Sequence, residues 1–220
     1  MPSSHNYKRD KRNDSIKIYI DGKFYLRNKA KISVFDSGFL LGDGIWTSLR
    51  LHNNKLIFLD QHISRLYTDA KAISLKLPFS RTHLKTILFK TISINKMSSD
   101  VHIRLIVSRG IKSTPYQDPS FTISKPTLVI IPEFKVPDNK IYKNGLVLKT
   151  VNIIRGPHNV QDPRINSLSK LNCILACIEA KNKKGDEALM FDINGNIATN
   201  NSTHFFYIKK NKVFTSKGKY

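Results

Sequence analysis

Residues 131 to 141 read IPEFKVPDNKI, and this stretch most restricts how the chain can fold. Pro132 and Pro137 each remove a backbone donor, and Asp138-Asn139 favours a turn, so regular structure is expected to break here. On the N-terminal side, Thr127 to Ile131 reads as a short buried strand and Val101 to Val107 as an alternating one. Ile16 to Leu26 forms two β-rich runs about Asp21-Gly22, a hairpin signal. Ile63, Leu66, Tyr67, Ala70 and Ile73 recur at helical spacing, which places a helix over Leu59 to Leu75 with Asp60 as its N-cap. A second helix is expected from Arg81 to about Asn95.

Beyond the break, Leu146 to Val151 reads as a strand. Leu171, Ile174, Leu175 and Ile178 define a helix ending near Lys181 to Gly185. Glu187 to Phe191, Asn196 to Thr199 and Phe205 to Ile208 read as an antiparallel meander. The pattern gives an α+β chain of two domains: a basic tail at 1–15, an N-terminal domain at 16–135, a linker at 136–145 and a C-terminal domain at 146–220.

With 37 Lys+Arg against 16 Asp+Glu in 220 residues, the formal charge is +21. That balance invites a nucleic-acid reading. The basic residues are dispersed, however, and no zinc-ligand pattern or basic helix accompanies them. Lys, Asn and Ile are all frequent, as AT-rich coding would produce, so nucleic acid is not an expected partner. At 40% hydrophobic residues the chain has enough apolar side chains for a core. It has no apolar run of about 18 residues, so no membrane span is expected, and MPSSHNYKRDKRNDS lacks the apolar core of a secretory signal. Cys173 and Cys177, four apart in a helical pattern, suit two buried thiols without metal-ligand company. Together these features point to the cytoplasm and to no metal.

Four segments carry chemistry jointly: ISVFDSGFLLGDGIWTSLR (32–50), LDQHISRL (59–66), VHIRLIVSRG (101–110) and KLNCILACIEAKNKKGDEALMFDINGNIATNNSTHFFYIKKNKVFTS (170–216). Alone, Gly42-Asp43-Gly44 could be a turn, Arg65 a solvated helix arginine and Arg104 a strand charge. In this order and spacing they resemble the fold-type IV pyridoxal-phosphate enzymes, which include branched-chain aminotransferases, D-amino-acid aminotransferases and aminodeoxychorismate lyase. The resemblance implies an N-terminal α/β sandwich followed by a β-rich domain, pyridoxal 5'-phosphate as cofactor, an amino acid and a 2-oxo acid as substrates, and a homodimer.

It also implies roles. The arginine of the H-x-x-R-L helix holds the cofactor phosphate in the family, and the matching residue is Arg65. Trp46 takes the aromatic position of the substrate pocket, and Arg50 and Arg104 match positions that neutralise a substrate carboxylate. The family lysine, thirteen residues before Glu179-Ala180, falls on Asn166, which cannot form a Schiff base. Lys170 is the nearest substitute. With Ser169 as cap it would sit in a first helical turn, where the helix dipole lowers a lysine pKa. The family glutamate on the pyridine nitrogen falls on Thr199, followed by Asn200, and neither supplies a negative charge. The segment after Ser216 that completes the phosphate cup in the family is missing, so the C-terminal domain is expected to be incomplete. The implied function is a transaminase of branched-chain or D-amino acids. Its alternatives are an inactive cofactor-fold protein or an aminodeoxychorismate-lyase-like enzyme.

Overall fold

The computed structural model describes residues 9–136 and 138–217. Two compact units divide the chain, one comprising 9–136 together with 166–169, the other 138–165 together with 170–217.

The first unit begins with β1 (Lys17–Ile20) and β2 (Lys23–Leu26). Asp21 and Gly22 join them with φ of 43° and 96°, the two left-handed residues a type I′ turn requires. Then follow α1 (Ser37–Leu41), β3 (Gly44–His52), β4 (Lys55–Leu56), α2 (Leu59–Ala72), α3 (Arg81–Ile94), β5 (Val101–Ser108) and β6 (Leu128–Phe134). The strands make one antiparallel sheet in the order β2-β1-β6-β5-β3-β4.

Alternation gives this sheet two different faces. Ile45, Leu49 and Leu51 of β3 and Ile103 and Leu105 of β5 are buried, as are Ile63 and Leu66 of α2 and Leu84 and Leu88 of α3. Each such side chain contributes about 1.5–3 kcal/mol on burial. The opposite face carries Trp46, Ser48, Arg50, His102, Arg104, Ile106, Val129 and Ile131, all half-buried. The candidate site residues of this unit's strands lie on that second face.

Several sequence expectations are corrected here. The basic tail does not extend to residue 15: residues 11–15 form a 3-10 turn, and buried Asn13 exchanges two hydrogen bonds with the Phe134 backbone, at 2.9 and 2.8 Å. Residues 1–8 lie outside the described residues. Asp60 is not the N-cap of α2; Phe58 holds that position, and the Asp60 carboxylate pairs with Lys85 at 2.5 Å. Pro132 does not end its strand. It sits in β6 opposite Ile103, past Ile130 where the pairing with β1 stops, so its missing N–H removes no ladder bond to β1.

The second unit contains α4 (Asn139–Asn144), β7 (Leu148–Thr150), α5 (Leu171–Asn182), β8 (Glu187–Phe191), β9 (Ile197–Asn200), β10 (Phe206–Lys209) and β11 (Lys212–Thr215). The expected linker 136–145 is therefore partly helical, with Asp138 capping α4 through Lys140 N at 3.0 Å. β7 runs parallel to β8 and β9 antiparallel to it, while β10 pairs with β11 in a separate hairpin, so the strands are not one meander.

Val151, Ala176, Ala180, Ala188 and Met190 form the core of this unit. The apolar stripe that marks this helix in the sequence is not its packed face: Leu171, Ile174, Leu175 and Ile178 are exposed. The helix is apolar on two faces, and the alanine face allows the closer approach to the sheet. Cys173 and Cys177 are half-buried rather than buried, and Cys173 Sγ accepts from Arg155 Nη1 at 3.2 Å. Among the described residues no helix is long and apolar enough to cross a membrane.

Candidate active site

In the first unit the site grows from the free edge of β3. Ahead of β4, that edge is taken by residues 166–169. Trp46 N donates to Asn166 O at 2.8 Å, Leu168 N donates to Gly44 O at 2.9 Å, and Ile45 and Ser167 form an antiparallel bridge. The Trp46 indole N–H donates to Ser167 O at 3.1 Å.

Glycine makes the approach possible. A Cβ on Gly44 would stand 2.7 Å from Leu168 Cδ1, and one on Gly42, whose φ is +68°, 2.6 Å from Ser169 Oγ. The Gly42-Asp43-Gly44 turn is thus a docking surface for 166–169. Asp43 itself is gripped by Arg109 through bonds of 2.7 and 3.0 Å, and Arg109 also donates to the carbonyl of Ile73 at 2.9 Å, at the end of α2.

This docking fixes Asn166. Its backbone N–H donates to Asp69 Oδ2 at 3.3 Å, and Asp69 lies one turn after Arg65 on α2. Residues so spaced have Cβ atoms about 5–6 Å apart. The expected phosphate arginine and the residue that the resemblance matches to the family lysine are therefore both tied to one short stretch of α2.

Arg65 is exposed, and its Nη2 donates to Thr47 Oγ1 at 3.2 Å. Thr47 is fully buried, and its hydroxyl lies 3.1 Å from His62 Nδ1. Burial, reinforced by the Arg65 charge, holds the His62 pKa below its ordinary 6.5. A neutral His62 can accept at Nδ1 from Thr47, leaving the Thr47 oxygen to accept from Arg65. Thr47 and His62 hold the guanidinium in a chain of contacts that the sequence reading does not single out. The H-x-x-R spacing and the inward phase of residue 47 on β3 were the available signals.

On the half-buried face, the Arg104 guanidinium lies 4.2 Å from the Trp46 ring centre. Arg104 stands opposite Ser48 in the β3–β5 ladder. Half-burial works against the Arg104 charge, with Glu133 partly offsetting it. Among the described residues Arg104 has no hydrogen-bond or ion-pair acceptor, and the buried Ser48 hydroxyl has no partner either. Arg50 differs. Its Nη1 donates to Lys135 O at 2.6 Å and its Nη2 to Asp100 Oδ1 at 3.2 Å, so it joins the strand ends at the far end of β3.

The second unit holds the remaining candidates. Lys170 is the N-cap residue of α5, with its own carbonyl accepting from Ile174 N at 3.0 Å. Ser169 is not the cap: its hydroxyl donates to Gly42 O at 3.2 Å in the first unit. At the end of β9, Thr199 Oγ1 donates to Thr203 O at 3.0 Å, and Asn200 Nδ2 donates to Thr203 Oγ1 at 3.1 Å. Asn200 Oδ1 is buried without a donor among the described residues. Nothing at Thr199 or Asn200 can hold a proton on a pyridine nitrogen as a carboxylate would.

The fold is shared with solved structures. The T.th. branched-chain amino acid aminotransferase, complexed with N-(5'-phosphopyridoxyl)-L-glutamate, superposes with a TM-score of 0.83 at 21% identity, over 93% of this chain and 68% of that one. Residues 44–219 match the amino-transferase class IV family, and the chain belongs to that family. Branched-chain-amino-acid aminotransferase-like protein 2 of Arabidopsis thaliana is 35% identical over 210 residues, 94% of this chain and 37% of that protein. D-alanine aminotransferase of Bacillus licheniformis is 27% identical over 200 residues, 91% of this chain and 68% of that protein. The chain thus spans little more than a third of the plant relative.

Proposed function

We propose that this chain binds pyridoxal 5'-phosphate and takes part in moving an amino group between a small branched-chain or D-amino acid and a 2-oxo acid, with Arg65 as phosphate anchor and Lys170 as the reactive amine. Class IV aminotransferases depend on this cofactor, whose aldehyde condenses with an amine and whose ring draws electrons from the substrate carbon. The reading rests above all on Arg65, whose exposed fork is oriented through Thr47 and lies one helical turn from the carboxylate that holds Asn166. A planar, permanently charged fork suits a phosphate dianion.

Arg104 and Trp46 serve the substrate in this reading. A half-buried guanidinium without an acceptor among the described residues, stacked on an indole, offers paired donors to a carboxylate. The Ser48 hydroxyl opposite adds a donor, whereas Arg50 acts in the strand ends. We assign the working assembly to a homodimer, in keeping with the resemblance. A second reading, ligand binding without transamination, is favoured by Asn166 and Thr199, since the residues fit the cofactor's phosphate better than its ring.

The test is borohydride reduction of the 220-residue chain after incubation with pyridoxal 5'-phosphate, followed by peptide mapping. Label on Lys170, abolished in Lys170→Ala and weakened in Arg65→Ala, supports the transaminase reading. Phosphate-dependent binding with no lysine labelled selects the second reading, and Asn166→Lys should then restore labelling at 166.

A further inference from the structure

The half-buried face of the six-stranded sheet also holds a cavity of about 430 Å³, beside the Trp46 position, where Ile106 pairs with Trp46 across the ladder. Its floor is Ile18 and Ile20 of β1, Ile106 of β5, and Val129 and Ile131 of β6, with Phe39 and Leu168 among its walls. Trp46, Arg65 and Arg104 are not part of the lining. The polar part of the lining is small: Asp36, Ser108, Thr127 and Lys31. The volume falls within the range of small-molecule sites, which pair apolar walls with a few placed polar groups.

Asp36 sets the chemistry. It is 2% exposed, and its two carboxylate oxygens accept from Gly38 N at 2.9 Å and Ser108 Oγ at 2.7 Å. Both donors are neutral, and Asp36 forms no ion pair among the described residues. A carboxylate accepts about four hydrogen bonds, so half its capacity is open. Asp36 lines the cavity with a carboxylate that has no counter-ion among the described residues, so a cation entering the cavity would find an acceptor there.

We propose that this cavity binds an aliphatic primary ammonium ligand, with the ammonium on Asp36 and the hydrocarbon over the isoleucine floor. Two sources share this chemistry, an alkylamine and an aliphatic α-amino acid. Lys31 is exposed and also lines the cavity, so it offers the amino acid's carboxylate a partner that an amine lacks. The site is independent of the cofactor.

Isothermal titration of the 220-residue chain without pyridoxal phosphate tests this, with 3-methylbutylamine, leucine and 4-methylpentanoate as probes. The amine should bind and 4-methylpentanoate, which lacks the ammonium, should not. Asp36→Asn keeps the cap acceptor for Gly38 N and removes the charge, so it should fold normally and weaken binding about tenfold or more, the scale of losing a charge-assisted bond. Ile131→Trp, which fills the cavity, should abolish binding, and Arg65→Ala should leave it unchanged. Leucine binding more tightly than the amine, with that advantage lost in Lys31→Met, identifies the amino acid as the ligand. Equal affinity for amine and leucine, unaffected by Lys31→Met, identifies the amine. Binding of 4-methylpentanoate as strong as that of the amine, or an unchanged affinity in Asp36→Asn, overturns the proposal. So does an absence of amine binding, and a change of oligomeric state in Ile131→Trp would then assign the cavity to a second copy of the chain.

Discussion

Replacing Arg109 with methionine removes a clamp that joins three parts of the first unit. Its guanidinium holds Asp43 through two bonds of 2.7 and 3.0 Å and donates to the carbonyls of Ile73 and Ser74 at 2.9 and 3.3 Å. The ion-paired side chains are only 14% and 21% exposed. Breaking a fully buried pair by removing one partner costs about 3–5 kcal/mol, because the other charge is left uncompensated. Partial access to water lowers that to about 2–3 kcal/mol for Asp43, and loss of a cation at the α2 C-terminus adds about 0.3–1 kcal/mol. The sum is about 3 kcal/mol, or a Tm lower by about 6–12 °C for a chain of this size.

Trp46 is the single tryptophan and lies in the first unit, so its fluorescence during urea unfolding reports this unit directly. Arg109→Lys keeps the charge without the fork and should lose about half as much. In a double-mutant cycle with Asp43→Asn the two effects should be coupled by more than about 1 kcal/mol. A loss under about 0.5 kcal/mol in Arg109→Met, or simple additivity in the cycle, would refute the clamp.

Three further outcomes follow from the same geometry. Since burial holds His62 below 6.5, the unfolded chain takes up this proton first as the pH falls; its contribution to stability is complete above about pH 6.5 and declines below it, and urea titrations at about pH 7.5 and 5.5 should show a smaller pH dependence in His62→Asn. Gly44→Ala places a Cβ 2.6 Å from Val107 O and 2.7 Å from Leu168 Cδ1, so it should cost about 1–3 kcal/mol and speed hydrogen exchange at the Leu168 amide. Lys85→Ala breaks the pair with Asp60, whose side chain is 76% exposed, and should change stability by less than about 1 kcal/mol in thermal melts.

Local features were the legible ones. The Asp21-Gly22 hairpin, the helix expected from Arg81 to about Asn95 and the alternation of β5 depend on neighbours in sequence, and the structure agrees with each. Arg65 could be singled out because H-x-x-R-L is a contiguous motif. The outward stripe of α5 could not be read, because a helix with apolar residues on two faces has two possible buried sides and periodicity alone does not choose. Nor could the fate of Arg50, whose acceptors lie 50 and 85 residues away.

By itself the sequence determined the family, the alternation that gives the sheet a helix-covered face and a half-buried one, and the asparagine and threonine at positions 166 and 199, which the resemblance matches to a lysine and a glutamate. These are properties of residue identity and short spacing. Tertiary structure alone decided that 166–169 belong with the first unit, where two glycines leave room for them against β3. It also decided which of the many basic residues are structural clamps and which guanidinium has no acceptor among the described residues. A charge finds its partner through the fold, across separations the linear chain does not encode.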